Sequence, residues 1–300
     1  MTGLSALIKR NIKLYFRDKG MFFSSLITPI ILLILFVTFL GSIYRDSFAS
    51  ALNAAGINAD ASLIDGCVGG QLISSLLAVT CITVAFCSNL IMIKDKTSGA
   101  RRDLTVSPLR LSTLGFSYYL AALISTLIIN LTAAAVSLAY LAFVGWYLSS
   151  ADVLLLILDV FLLTMFGTAL SSCVNFFLSS DGQASAVGTI VSAGYGFICG
   201  AYMPVSNFSP ALQKILSFLP GTYGTVLLRN HAMRGAFRQM TKDGIPQEII
   251  EKICDSVDCN LYFFGEKVSV SAMYMVLCAS ILLFIGIYIA VNLIKEKRAD

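Results

Sequence analysis

Residues 94–110 read KDKTSGARRDLTVSPLR, and the rest of the chain is read outward from them. Five of the 21 Lys and Arg residues fall here: Lys94, Lys96, Arg101, Arg102 and Arg110. Against Asp95 and Asp103 they leave the stretch strongly basic. The flanking segments 66–93 and 111–151 contain no Asp, Glu, Lys or Arg. A basic island between two long apolar blocks is the pattern of a cytoplasmic loop joining two membrane spans.

Composition agrees. The 300 residues are 57% hydrophobic and 13% charged, against about 25% charged in an ordinary soluble domain. Uncharged runs also cover 20–44, 160–180, 182–213 and 268–294, each long enough for the ~20 residues that cross a hydrocarbon core. The basic start (Lys9, Arg10, Lys13, Arg17, Lys19) precedes a run longer than the roughly 7–15 apolar residues of a removable signal, so this run is expected to stay as the first span. The reading is an all-α integral membrane protein with six spans near 22–43, 67–93, 112–146, 153–178, 184–203 and 269–294. A cytoplasmic loop at 94–111 and an external segment at 204–268 complete it.

Lys and Arg counting places both termini in the cytoplasm. The N-terminal flank and the 94–110 loop hold five each, the tail Lys295, Lys297 and Arg298, and the short outer loops only Arg45. The long 204–268 segment carries seven more, but long loops translocate largely regardless of charge. A seven-span alternative would split 111–151 into two helices. The middle of that stretch offers Asn130 but no Gly or Pro, and Trp146-Tyr147 suits an outer headgroup boundary.

Several chemistries lack their residues. No G-x-x-x-x-G-K-[ST] phosphate loop occurs. With His231 as the single histidine, His-rich metal sites and Ser-His-Asp catalysis are disfavoured. No metal or cofactor is expected on the chain, and no catalytic set is evident in it. Most of the eight cysteines fall in or beside spans. Cys254 and Cys259, in the polar ICDSVDC, are read as a disulfide or as two free thiols.

Six local patterns carry the functional reading. Residues 1–20 place Leu4, Leu7, Ile8, Ile12, Tyr15 and Phe16 at helical spacing among cations, as in an amphipathic interfacial helix. In the opening stretch, Thr97-Ser98-Gly99-Ala100 can start a short helix and Pro108 can stop it, which gives a lever for a soluble partner to push. Ala184, Gly188, Ser192, Gly196 and Gly200 recur every fourth residue, as in a close-packed helix seam within the chain or across a dimer. Tyr195, Phe197 and Tyr202 are candidates to line a substrate path or to face lipid or other helices. Asp159 is a candidate for substrate or proton handling, or for pairing with a basic residue of the external segment. Pro204, Pro210 and Pro220 break helices, and Ala211–Phe218 is too short to span.

Taken in order, KRNIKLYFRDKGMFFSSLITPIIL, IKDKTSGARRDLTVSPLRLSTLGFSYYL, GYGFICGAYMPVSNFSPALQKILSFLPGTYGTVLLRN and a last span with a basic tail resemble permease subunits of the ABC-2 type. These are small bacterial exporters that include daunorubicin-resistance and sodium-extrusion permeases. The resemblance implies that 94–111 carries a coupling helix seated on a separate ATPase, which binds ATP and Mg. Asp95, Gly99, Leu104, Ser107 and Pro108 fit that element, and Arg101 and Arg102 lie within it; Lys96-Thr97 stand where the family usually has acidic residues. It also implies a re-entrant outer hairpin with Pro204, Pro210, Pro220 and Tyr223 at an external gate. A dimer with two ATPase copies in the plasma membrane, exporting a hydrophobic or amphipathic small molecule, is the expectation. A gradient-driven transporter or channel is the alternative.

Overall fold

The computed structural model describes residues 3–54, 60–106 and 110–297, and among these the chain is almost wholly helical. Five helical runs are long and apolar enough to cross a membrane: Lys19–Asn53, Ala61–Thr97, Leu111–Val144, Ser150–Phe177 and Val270–Glu296. They coincide with five of the six expected spans. The sixth, α9 (Asp181–Ile198), is helical but so rich in Gly, Ser and Ala that it falls below that apolarity. Its 18 residues measure about 27 Å at helical rise.

Helix α1 (Gly3–Arg17) is amphipathic as expected, but its apolar face is spent on protein. Leu7 and Tyr15 are buried, and the Tyr15 hydroxyl hydrogen-bonds Ser25 Oγ at 3.0 Å. Asp18 then caps α2 (Lys19–Leu35) by accepting from the Met21 N–H. Pro29 sits inside α2, where it removes one backbone bond. A π-type turn at Phe36–Leu40 leads into α3 (Gly41–Ala54). The first span therefore continues past the expected limit at 43. Arg45 pairs with Asp65 on the next helix.

That helix, α4 (Ala61–Ser88), is the core of the bundle, buried along nearly its whole length. It is bordered by α2, α7 (Leu111–Val144), α8 (Ser150–Phe177), α9 and α11 (Pro220–Lys242). Buried serines and threonines bond back to carbonyls of their own helix, as Thr80 and Thr83 do, so they cost little in an apolar setting. At Asn89 the helix breaks briefly, its side-chain amide donating to Ser171 Oγ and Ser172 Oγ on α8 at 2.8 and 2.7 Å. It resumes as α5 (Leu90–Thr97), followed by α6 (Ala100–Val106). α7 is one uninterrupted helix of 34 residues, so 111–144 does not fold back on itself.

The 204–268 segment departs most from the reading as an external loop. After a short α10 (Pro210–Leu216), residues 220–242 form α11, a helix whose inward face is buried against α4, α8 and α13 (Val270–Lys297). α12 (Gln247–Ser256) and a hairpin of β1 (Tyr262–Phe263) and β2 (Glu266–Lys267) follow. α3, the first turns of α4, the end of α11 and α12 share an outer apolar cluster that includes Phe48, Leu52, Leu63, Met240 and Ile253.

Candidate coupling site and transport groove

The four residues Lys94 to Thr97 each fasten α5 to something different. Lys94 pairs with Asp18 at the α1–α2 junction. Asp95, only 5% exposed, receives Arg10 in a two-pronged bridge at 2.7 and 2.9 Å and the Tyr118 hydroxyl at 2.6 Å. Lys96 Nζ donates to the carbonyls of Asn175, Phe176 and Leu178, at 3.3, 2.6 and 2.7 Å, which satisfies the free end of α8. Thr97 Oγ1 reaches Asp181 at the start of α9 at 3.4 Å. Asp95 is thus an internal tie of α1, α5 and α7, and its carboxylate is not turned outward. Arg10 and Tyr118 were not singled out from sequence. Their signal was a second cation cluster in the N-terminal helix with no acid of its own beyond Asp18.

Beyond this collar the chain turns at Gly99, which adopts φ +83 with open space where a Cβ would stand, a conformation that glycine takes without steric cost. α6 then stands out from the bundle with no residue fully buried. Leu104 packs back on the inner apolar cluster, while Arg102, Asp103, Thr105 and Val106 are exposed, Val106 at 83%. Arg101 is half-buried. Ser107 and Pro108 lie outside the described residues. The Lys94–Asp18 pair and the Met21 N–H hold the Asp18 carboxyl below its ordinary range, the lysine hydrogen bond being the larger cause.

Helix α2, the α4–α5 junction and α9 enclose a groove of about 1010 Å³, the scale of a drug-sized ligand site. Its walls are mostly apolar, with Lys94 and Asp181 at the end beside the collar. The small-residue series divides here. Ala184, Gly188 and Ser192 line the groove, and a side chain at Gly188 would meet nothing within 4 Å. Gly196 is covered by the ring of Tyr202 from the same chain. Gly200 adopts φ +77 and ends the helix beside Val205. The latter two are therefore local packing positions and not part of an open seam. The aromatic trio divides too. Phe197 and Tyr202 line the groove and meet edge to face at 5.0 Å, whereas the Tyr195 hydroxyl packs against Gly221 of α11.

At the opposite end, α8 and α11 run antiparallel and share a register. Asp159, fully buried, bonds His231 Nδ1 at 2.5 Å and the Tyr274 hydroxyl of α13 at 2.6 Å. One heptad toward the outer end, Asp152 pairs with Arg238, one heptad further along α11, and Arg234 stands 3.8 Å away. Asp159 thus meets a residue of the 204–268 segment, His231. The two aspartates and their partners carry a signal the sequence does contain: 152 and 159, 231 and 238, both seven apart.

Arg229, with no exposure, donates to the Gly200 carbonyl at 2.7 Å and stands 3.5 Å from Asp258. Asp258 in turn accepts from the Val205 and Ser206 N–H groups. Burial raises the Asp258 carboxyl above its ordinary value, against the opposing pull of Arg229 and these amides. Pro204 is buried beside this network, Pro210 and Pro220 begin α10 and α11, and the buried Tyr223 bonds the Ser217 carbonyl at 2.7 Å. Cys254 and Cys259 are two free thiols here, with the Cys259 N–H on the Cys254 carbonyl at 2.8 Å. Cys259 is buried against Met233, and burial pushes its thiol well above the ordinary value. That keeps it in the unreactive neutral form. No cluster of metal ligands occurs among the described residues.

The architecture is that of a helical membrane transport domain with a lateral groove and a short exposed helix on a braced collar. Residues 2–232, more than three-quarters of the chain, match the family model of the ABC-2 type transporter, and the chain belongs to that family. Its members are membrane transport subunits without catalytic activity of their own, and they normally work with an ATPase subunit. Comparison with curated proteins one by one gives no match.

Proposed function

We propose that this chain is the permease subunit of an ATP-driven exporter in the plasma membrane, with both termini cytoplasmic and α9 as a sixth span. The observation that carries the reading is the braced collar with α6 exposed beyond it. Arg102, Thr105 and Val106 form the face that a separate ATPase, binding ATP and Mg, presses on. Because Lys96 and Thr97 hold the end of α8 and the start of α9, pressure there reaches the groove wall. A second copy meets the open Ala184–Gly188–Ser192 face, and two ATPase subunits serve the pair. The groove is apolar with one charge of each sign at its inner mouth, which suits an amphipathic or hydrophobic small molecule passing Phe197 and Tyr202, toward a gate built on Pro204, Pro210, Pro220 and Tyr223. Gradient-driven transport would call for a titratable group free to exchange ions. Asp159 is instead committed to His231 and Tyr274.

The test is to purify the chain with its phosphate-loop ATPase and compare Val106→Asp and Arg102→Glu with the parent. Both changes are on exposed positions, so stability should move by no more than ~0.5 kcal/mol. ATPase co-purification and its stimulation by the permease should be lost. Stimulation that survives both changes removes α6 as the coupling element. One permease copy per purified complex, where two are expected, removes α9 as the meeting face.

A further inference from the structure

A second groove, of about 500 Å³, runs between α2 and α7, where the first lies between α2 and α9. Its walls include Phe22 and Leu33 of α2, Leu72 and Leu76 of α4, and Ile128 and Tyr140 of α7. Phe16, in the last turn of α1, joins the lining beside Phe22, their ring centroids 6.0 Å apart. From Ile128 to Tyr140 the wall is about 18 Å long at helical rise. One leaflet contributes a similar ~15 Å to a ~30 Å hydrocarbon core. Among the described residues no charged side chain lines this groove, whereas Lys94 and Asp181 line the first. The Thr132 hydroxyl in its wall is spent on the Ile128 carbonyl of its own helix.

The charges stand just outside it. Lys9, Lys13 and Arg17 follow one another at four-residue spacing on α1, and all three are exposed. Phe16 lies three residues beyond Lys13, so helical spacing puts it on the same face. The opposite face, with Leu7, Asn11 and Tyr15, is buried in the bundle. Nearby acids are already committed, Asp95 to Arg10 and Asp18 to Lys94. Among the described residues Lys9, Lys13 and Arg17 enter no ion pair. A row of free cations thus leads to the end of the groove that Phe16 lines.

We propose that the α2–α7 groove holds an acyl chain of an anionic phospholipid, whose phosphate rests on Lys13 and Arg17. An uncharged apolar slot about one leaflet long suits a hydrocarbon chain. Cations at one end only suit a headgroup of net negative charge. A transported molecule is better matched by the first groove, where charges of both signs stand in the lining. The lipid site adjoins the joint at Asp18, which also holds Lys94 of the collar, so its occupancy bears on the brace behind α6. The proposal rests on the reading that α2 and α7 cross the bilayer.

Trp146 is the single tryptophan, so full-length Trp146→Phe protein can carry one reporter at a time. Val136→Trp reports from the groove wall, and Leu282→Trp, exposed on α13 and outside the groove, is the reference. Each is placed in phosphatidylcholine vesicles containing a minor fraction of phosphatidylglycerol, with bromine on the acyl chains of one lipid or the other. At equal fractions of brominated lipid, phosphatidylglycerol should quench Val136→Trp as though enriched about fivefold, the factor that one such cation supplies. Lys13→Gln with Arg17→Gln should abolish that preference, whereas Lys13→Arg with Arg17→Lys should keep it. Leu282→Trp should show no preference. Equal quenching by the two lipids at Val136→Trp overturns the proposal, as does a preference that survives the double Gln change. The same preference at Leu282→Trp overturns it too, because the attraction then belongs to the whole protein. In fully brominated phosphatidylcholine, quenching of Leu282→Trp without Val136→Trp closes the groove to lipid, and the proposal alone fails. Quenching of neither means that the bilayer crossing fails, and the proposal with it.

Discussion

At the inner end Lys94, Asp95, Lys96 and Thr97 each reach a different helix, whereas at the outer end α8 and α11 repeat one pairing, Asp159 with His231 and Asp152 with Arg238. The inner arrangement gathers several helices onto one short segment and leaves α6 standing free. The outer arrangement clamps two helices along their length and leaves no acid free for other work. The same residue types thus build a handle in one place and a zipper in the other. What differs is whether the partners come from many elements or from one.

The comparison breaks most severely at the buried pair. Replacing Asp159 or His231 singly by leucine should cost about 3–5 kcal/mol, because the remaining partner stays buried and uncompensated. Replacing both should cost much less than the sum, read as thermal unfolding of the purified protein around a double-mutant cycle. Additive losses would mean that the two helices are held by apolar packing and not by the pairing.

At the inner end Asp95→Ala should cost less, roughly 2–3 kcal/mol, since Arg10 remains about one-third exposed and can rehydrate. It should, however, uncouple any ATPase response more completely than its stability loss explains. Arg10→Lys would sharpen this, since a lysine cannot reproduce the two-pronged bridge. An Asp95→Ala protein with full coupling would show that the brace is not required.

The smallest effect is the pH dependence of the Asp18–Lys94 pair. Because Asp18 titrates below its ordinary value when folded, its contribution is present above about pH 4 and is lost as pH falls through the depressed value. Lys94 is mostly exposed, so the increment should stay under ~1 kcal/mol. In acid titrations of thermal stability, Asp18→Asn should remove it. An unchanged titration would assign the acid sensitivity to another carboxylate.

Much of the bundle could be read directly, because uncharged runs and basic flanks are properties of composition that lipid enforces one span at a time. Residues 94–97 prolong the second helical run to Thr97 rather than opening the loop, and the glycine turn at Gly99 and the short α6 follow. What stayed hidden depends on partners distant in sequence. α11 carries five cations or imidazoles in its 23 residues (Arg229, His231, Arg234, Arg238, Lys242), so it read as water-facing, although Asp152, Asp159 and Asp258 face the first four from other elements. Gly196 and Gly200 fitted a helix-seam pattern, but Tyr202 and the end of α9 had already claimed them. Asp95 looked like a surface charge because nothing local announces that Arg10 and Tyr118 close over it.

The run from Ala61 to Thr97 has a mechanical meaning of its own. Its 37 residues extend about 55 Å at helical rise, from the outer loop at Tyr147, which bonds Ser62 at 2.9 Å, to the collar. Treated as a lever that holds its line through the brief break at Asn89, whose side chain is tied to Ser171 and Ser172, and that pivots near its middle at Val79, a tilt of about 5° displaces each end by roughly 2–3 Å, in opposite directions. The groove wall on this run, Cys87, Leu90, Ile93 and Lys94, lies on the arm toward the collar, and the Arg45–Asp65 bridge on the other. A thrust that widens one mouth of the groove on this arm draws the far end of the same beam the other way, without any bond within it having to break.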